Sequence, residues 1–136
     1  MEKLENFSRC LSVLKGANFA NADNDEIYRT GIIGQFNLTF ELAWKALQAV
    51  LRIHGAEGSL TGSPREILQI GYKVGFVNDQ AVWTAMLKKR NTSVHIYDEE
   101  KIDELLLMIR DSFIPAFEKL EKTLRDKLEE AGGDWV

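Results

Sequence analysis

The feature that most constrains this fold is the proline-free run from Asp25 to His54, which reads as one long helix. Projected at about 100° per residue, its apolar side chains cover roughly two thirds of the circumference. They form two sides, one with Phe36, Phe40, Ala43, Leu47 and Val50, the other with Leu38, Leu42, Ala46, Ala49 and Ile53. A surface helix needs an apolar stripe of only about 100° or slightly more. We therefore expect this helix to be central in a bundle, or to bury a second face against another chain.

Turn signals divide the remainder into further helices. The first is expected from about Glu2 to Ala20, where apolar residues recur at helical spacing. The third should begin at Ser63-Pro64-Arg65-Glu66, because Ser at the N-cap, Pro at the first position and Glu at the third make a strong start signal. It should end near Gly75.

The last two helices flank a polar connection. The fourth is predicted from about Asn78 to Arg90. The fifth should begin after Tyr97, with Asp98 as its cap, and Pro115 should kink or divide it. Long helices with short connections predict an all-α, antiparallel up-and-down bundle of four or five helices.

Composition fits one domain over residues 1–136, since the chain is 45% hydrophobic and has only two prolines. Cys10 is the only cysteine, which excludes an intrachain disulfide and a cysteine-based zinc site and suits a reducing compartment. No signal peptide or membrane span is evident, so we expect a cytoplasmic protein with no membrane association. The net charge of −4 argues against wrapping nucleic acid but leaves room for a small basic cleft.

Chemistry is concentrated between Lys88 and Asp98. Arg90 offers a planar fork of donors that matches phosphate oxygens. His95 can exchange a proton near neutral pH. Asn91 can orient either group or bond a 2′-hydroxyl. The spacing also fits an ordinary alternative, in which cations are favoured at a helix C-terminus and Asn91 is the cap.

Three stretches together resemble the nucleotidyltransferase substrate-binding family, a branch of the HEPN-like helical bundles. They are residues 36–45, 63–66 and 83–99, and their order and spacing are similar across about Ile27 to Phe117. The first and third stretches are specific, whereas the second alone would be a helix cap. Val94 departs from the family, in which Ser is frequent at this position beside the histidine.

The resemblance implies a homodimer that forms a complex with a minimal nucleotidyltransferase. Many HEPN proteins with an Arg-x4-6-His motif are metal-independent endoribonucleases that act as toxins, with the nucleotidyltransferase as antitoxin. In the Arg-x4-His-x-Tyr subgroup, the antitoxin can attach AMP to the motif tyrosine. Arg90, His95 and Tyr97 match that pattern. His95 would then serve as general acid or base, Arg90 would stabilise phosphoryl charge, and Asn91 would position the phosphate, with no metal and no cofactor.

Four further residues are candidates for the cleft or the partner interface: Glu41, Lys45, Lys89 and Asp98. Glu41 and Lys45 share a polar stripe, and their i,i+4 spacing also fits a plain surface ion pair. Three functions remain open. The chain is an RNA-cleaving toxin, a non-catalytic substrate-binding subunit of a two-component nucleotidyltransferase, or a dimeric scaffold.

Overall fold

The computed structural model describes residues 1–90 and 98–132, and in these parts the regular elements are helices joined by turns, with no strand. The α-helices are α1 (Glu2–Lys15), α2 (Glu26–Ile53), α3 (Pro64–Val74), α4 (Gln80–Lys89), α5 (Glu99–Met108) and α6 (Ile114–Glu130). A short 3₁₀ turn covers Asn21–Asp23. A π-helical turn, Ile109–Phe113, joins α5 directly to α6 and makes them one continuous run.

These helices form four arms of an up-and-down bundle, as predicted. Ion pairs join Lys15 to Glu118 at 3.2 Å and Glu5 to Arg125 at 3.1 Å, so α1 and α6 are antiparallel. The short helices α3 and α4 together form the third arm. This third arm runs antiparallel to α2. The α5–α6 run then reverses direction again, so it lies parallel to α2.

Aromatic side chains fill the centre of the bundle. Phe36 of α2 stacks on Phe113 with ring centroids 5.1 Å apart. Trp83 of α4 meets Phe40 at 6.1 Å and Phe117 at 5.6 Å. All five side chains are fully buried, so the first predicted face of α2 is the core face.

The second apolar face of α2 is covered unevenly. Ala46 is buried, whereas Leu42, Ala49 and Ile53 are half-buried. Leu38 remains 48% exposed. The helix is therefore central in the bundle and still presents apolar surface outside it.

Most predicted helix starts are confirmed by their caps. The Asp25 carboxylate accepts a hydrogen bond from the Tyr28 backbone N–H at 3.1 Å and begins α2. Ser63 and Glu66 form the predicted capping box, and these hydrogen bonds lower the pKa of the Glu66 carboxyl. Gly75 ends α3 at φ 84°, a conformation that favours glycine.

The end of the first helix was predicted too late. Helix α1 stops at Lys15, not near Ala20. The chain turns because the Asn18 backbone N–H donates to the Tyr28 hydroxyl at 2.7 Å, and the Asn18 side chain accepts from the Ala20 N–H at 3.1 Å. Local side-chain bonds of this kind compete with helix continuation.

Near Pro115 the last run departs from regular α-helical geometry, as expected, although it stays continuous. It lies in the first turn of α6, immediately after the π-helical turn. A proline lacks the N–H that an uninterrupted α-helix would need there, and a π-turn is one way of accommodating such an interruption. Within residues 1–90 and 98–132, no helix combines the length and apolar character that crossing a membrane would require.

Candidate functional site

Arg90 lies at the C-terminal end of α4, where its backbone N–H donates to the Met86 carbonyl at 3.0 Å. Its guanidinium Nη1 donates to Glu41 Oε1 of α2 at 3.0 Å. The guanidinium carbon lies 5.6 Å from the centroid of the Phe40 ring, within cation–π range. The Arg90 side chain is 22% exposed. A carboxylate and an aromatic face therefore orient this arginine, and part of it still reaches solvent.

Glu41 connects two groups through its two oxygens. While Oε1 accepts from Arg90, Oε2 accepts from the Trp44 indole N–H at 3.1 Å. The ammonium of Lys45 lies 5.9 Å from the centroid of the Trp44 ring. The polar stripe of α2 thus faces the end of α4, and Glu41, Lys45 and Arg90 belong to one locality.

The simple surface pair between Glu41 and Lys45 is not formed in the described part of the chain. Glu41 pairs instead with Arg90, which is 49 residues away in sequence. Helical spacing allows an i,i+4 contact, but a half-buried guanidinium fixed by backbone packing competes better than an exposed, flexible lysine. Trp44 is half-buried rather than fully in the core, because its N–H points to Glu41.

On the other side of residues 91–97, the candidate segment, Asp98 caps α5 as predicted. Its Oδ1 accepts from the Glu100 backbone N–H at 2.9 Å. The carboxylate of Glu99, the next residue, lies 3.2 Å from Nη2 of Arg29, and that of Asp103, one helical turn later, lies 2.7 Å from it. The start of α5 is therefore attached to α2 as well.

Arg29 was missed by the sequence reasoning, although a signal was present. It stands in helical register with Ile33, Phe36 and Phe40, the residues that face the core. An arginine within an apolar stripe predicts a buried cation that needs acidic partners. The sequence does not identify those partners, because they are 70 and 74 residues away.

Charge changes sign across the segment. Lys88, Lys89 and Arg90 end α4, whereas Asp98, Glu99 and Glu100 open α5. Both arrangements suit the helix dipole. An incoming phosphate would meet attraction on the α4 side and repulsion on the α5 side.

Three predicted site residues, Asn91, His95 and Tyr97, lie outside the described residues. The structure pairs Arg90 with Glu41, places the ammonium of Lys45 near the Trp44 ring, and puts Asp98 at the cap of α5. Lys89 is half-buried in the last turn of α4. In the described ranges, no group of three His, Cys, Asp or Glu side chains is arranged to hold a metal ion.

Two comparisons with known proteins bear on this geometry. A family model described as "nucleotidyltransferase substrate binding protein like" matches residues 2–126. A relative from Haemophilus influenzae, described as "Probable ribonuclease HepT", is 28% identical over 94 residues. That alignment covers 68% of this chain and 64% of the relative, so the chain spans less than two thirds of the relative's length.

Proposed function

Because the chain belongs to the nucleotidyltransferase substrate-binding protein family, we propose that it is a metal-independent endoribonuclease restrained by a nucleotidyltransferase partner. In this proposal it is the toxin of a toxin–antitoxin pair. The observation that carries the proposal is the placement of Arg90, which Glu41 and Phe40 orient at the entrance to the segment holding Asn91 and His95. The similarity to a probable ribonuclease supports it.

The proposed reaction cleaves RNA through its own 2′-hydroxyl. That hydroxyl loses its proton as its oxygen bonds to the adjacent phosphorus, and the bond from phosphorus to the 5′-oxygen breaks. The 5′-oxygen leaves with a proton, so the products are a 2′,3′-cyclic phosphate and a 5′-hydroxyl. His95 would act as the general base or acid, a role that contributes about 10²–10⁴-fold in rate.

Arg90 would stabilise the charge that builds on the phosphoryl oxygens. The contact between Glu41 and Arg90 joins one oxygen to one nitrogen, because the second oxygen of Glu41 accepts from Trp44. A carboxylate used in this way orients the guanidinium. Asn91 would hold the scissile phosphate in place.

Restraint by the partner would act at Tyr97. Transfer of AMP to its hydroxyl would place a bulky anion in the cleft. It would exclude RNA by sterics and by charge repulsion, through the same physics as phosphorylation. The nucleotidyltransferase would therefore function as an antitoxin by docking, by modification, or by both.

We further propose that two copies associate through the exposed face of α2. Ile27 is 85% and Leu38 is 48% exposed, and between them Gly31 and Gly34 have no atom within 4 Å of an added Cβ. The spacing of these four residues reads the same in both directions, which suits a two-fold axis. A groove of about 370 Å³ beside them adds apolar surface from α1. Glu41 follows Leu38 by three residues, so this face leads into the candidate site.

The dimer is tested by light scattering on Leu38→Glu, with Leu60→Glu as control. Leu60 is 76% exposed but lies on a different surface. We expect the native protein at twice its 15.5 kDa mass, Leu38→Glu at one copy, and Leu60→Glu unchanged. A native protein of one copy would contradict the proposed dimer.

Ribonuclease activity is tested with purified protein, single-stranded RNA and tRNA in EDTA. We expect cleavage that leaves cyclic phosphate ends and that His95→Ala abolishes. Mass spectrometry must show an unmodified Tyr97 in the sample. Cleavage that persists in His95→Ala would overturn the mechanism.

A non-catalytic, substrate-binding subunit is the second candidate. The acidic start of α5 favours it, because carboxylates beside the site repel an RNA backbone and suit a protein partner. Under this function, unmodified protein would leave RNA intact and would raise the activity of its nucleotidyltransferase on mixing.

A further inference from the structure

Arg29 is the only buried charged residue among residues 1–90 and 98–132, at 9% exposure. Its Nη2 contacts Asp103 Oδ1 at 2.7 Å and Glu99 Oε2 at 3.2 Å. Burying a guanidinium is costly unless acidic partners satisfy it, and both partners come from α5. The start of α5 is therefore the only described place where this cation finds compensation.

The acidic start of α5 in turn needs the Arg29 cation. Within its first six residues α5 carries four carboxylates, and Asp98 precedes them as the cap; the four are Glu99, Glu100, Asp103 and Glu104. Glu99 and Asp103 are spaced i,i+4, so their like charges repel on one helix face. The guanidinium of Arg29 touches both of them and removes that repulsion at the point where α5 meets α2.

The contact of Arg29 with α5 matters because of where Arg29 lies along α2 relative to Glu41. Arg29 and Glu41 are 12 residues apart on one unbroken helix, a separation of about 18 Å along the axis. Glu41 holds Arg90, the residue just before the 91–97 segment, and Arg29 holds Glu99, one residue beyond Asp98. The rigid α2 thus sets the distance between the two points at which the chain enters and leaves the segment.

We propose that Arg29 is a positioning residue for the candidate site, an inference that rests on the proposed ribonuclease function. It touches no reacting atom. It fixes the start of α5 against α2, opposite the Glu41–Arg90 pair, and so fixes where the chain that carries His95 and Tyr97 must rejoin the bundle. Misplacement of a reacting group by about 1 Å can cost on the order of 100-fold in rate.

The test compares Arg29→Met with Arg125→Met. Arg125 also joins two helices, through Glu5 at 3.1 Å and the Ser8 hydroxyl at 2.7 Å, and it lies on the α1–α6 side of the bundle. Steady-state cleavage is measured at a temperature where circular dichroism shows each variant folded. Hydrogen exchange of the backbone amides at the start of α5 is measured in parallel.

For Arg29→Met we expect kcat to fall roughly 10- to 100-fold, with KM changed less than about twofold. Exchange at the start of α5 should accelerate. Arg125→Met should leave kcat and this exchange at native values. Arg29→Lys should recover part of kcat, because it restores a cation but not the geometry of the guanidinium.

Equal losses of kcat in both methionine variants would overturn the proposal, since they would show a general loss of stability. A rise in KM with native kcat would also overturn it. If Arg29→Met does not fold, Arg29→Lys is compared with Arg125→Lys on the same measurements. If native protein cleaves no RNA, the ribonuclease function fails, and native exchange at α5 in the Arg29 variant would overturn the anchor separately.

Discussion

Both flanks of the candidate segment are joined to α2 by an arginine–carboxylate ion pair, but the two partners are exchanged between the flanks. On the α4 flank, residues 88–90, the arginine belongs to the flank and its carboxylate partner, Glu41, belongs to α2. On the α5 flank, residues 98–103, the carboxylates belong to the flank and the arginine, Arg29, belongs to α2. One helix therefore anchors both ends with charges of opposite sign.

Exposure separates the two anchors. The Arg90 side chain is 22% exposed, whereas that of Arg29 is 10% exposed and its partners Glu99 and Asp103 are 69% and 59% exposed. A guanidinium that must meet phosphate has to reach solvent, and one that fixes a helix does not. The difference agrees with the proposed roles, in which Arg90 meets phosphate and Arg29 fixes a helix.

The largest expected effect is the loss of Arg90. Arg90→Ala should lower the cleavage rate by about 10²–10³-fold, as removal of a transition-state donor does. Its melting temperature should change little, because the partly exposed pair with Glu41 contributes only about 1 kcal/mol or less. Single-turnover kinetics and calorimetry check both quantities. A stability loss greater than that of Arg29→Met would reverse the roles assigned to the two arginines.

Removal of Arg29 should lower stability more than removal of Arg90. Arg29→Met should lower the free energy of unfolding by about 1–3 kcal/mol, because it breaks a charge-assisted pair and leaves two neighbouring carboxylates to repel. Water can solvate those carboxylates, which keeps the loss below that of a wholly buried pair. Urea titration measures it, and Arg125→Met should lose less.

A smaller effect is expected at Glu41. In Glu41→Gln one of the two oxygens is replaced by an NH2 donor, so the contacts to Arg90 and Trp44 cannot both persist in their native geometry. Turnover should fall about tenfold, which is less than on loss of the donor itself. RNA should bind more tightly because a negative charge beside the site is removed. The kcat and KM of this variant are compared with Glu129→Gln, on the far end of α6. A native kcat in Glu41→Gln would contradict the orienting role.

The smallest effect is expected from removing a helix cap, and it is tested at two caps. Asp98→Ala and Ser63→Ala each remove a cap and should each lower the free energy of unfolding by about 1 kcal/mol. Only Asp98→Ala should also slow RNA cleavage, since Ser63 lies in the α3 arm. Equal activity in both variants would mean that the cap of α5 does not matter to the site.

The sequence was informative wherever neighbouring residues decide the structure. The caps at Asp25, Ser63 and Asp98 follow from side chains that bond a backbone N–H two or three residues on. The core face of α2 follows from its periodicity. The end of α1 was missed, because the Tyr28 hydroxyl that helps the chain turn at Asn18 comes from the next helix.

The sequence by itself determined the helical class, the bundle, the family and the residues that carry the candidate chemistry. Tertiary structure decided which charges meet. It paired Glu41 with Arg90 instead of Lys45, and it gave Arg29 the partners Glu99 and Asp103. Helix periodicity and capping are local properties with short reach along the chain. Ion pairs between residues 49 to 74 positions apart depend on how whole helices pack, and no local pattern encodes that arrangement.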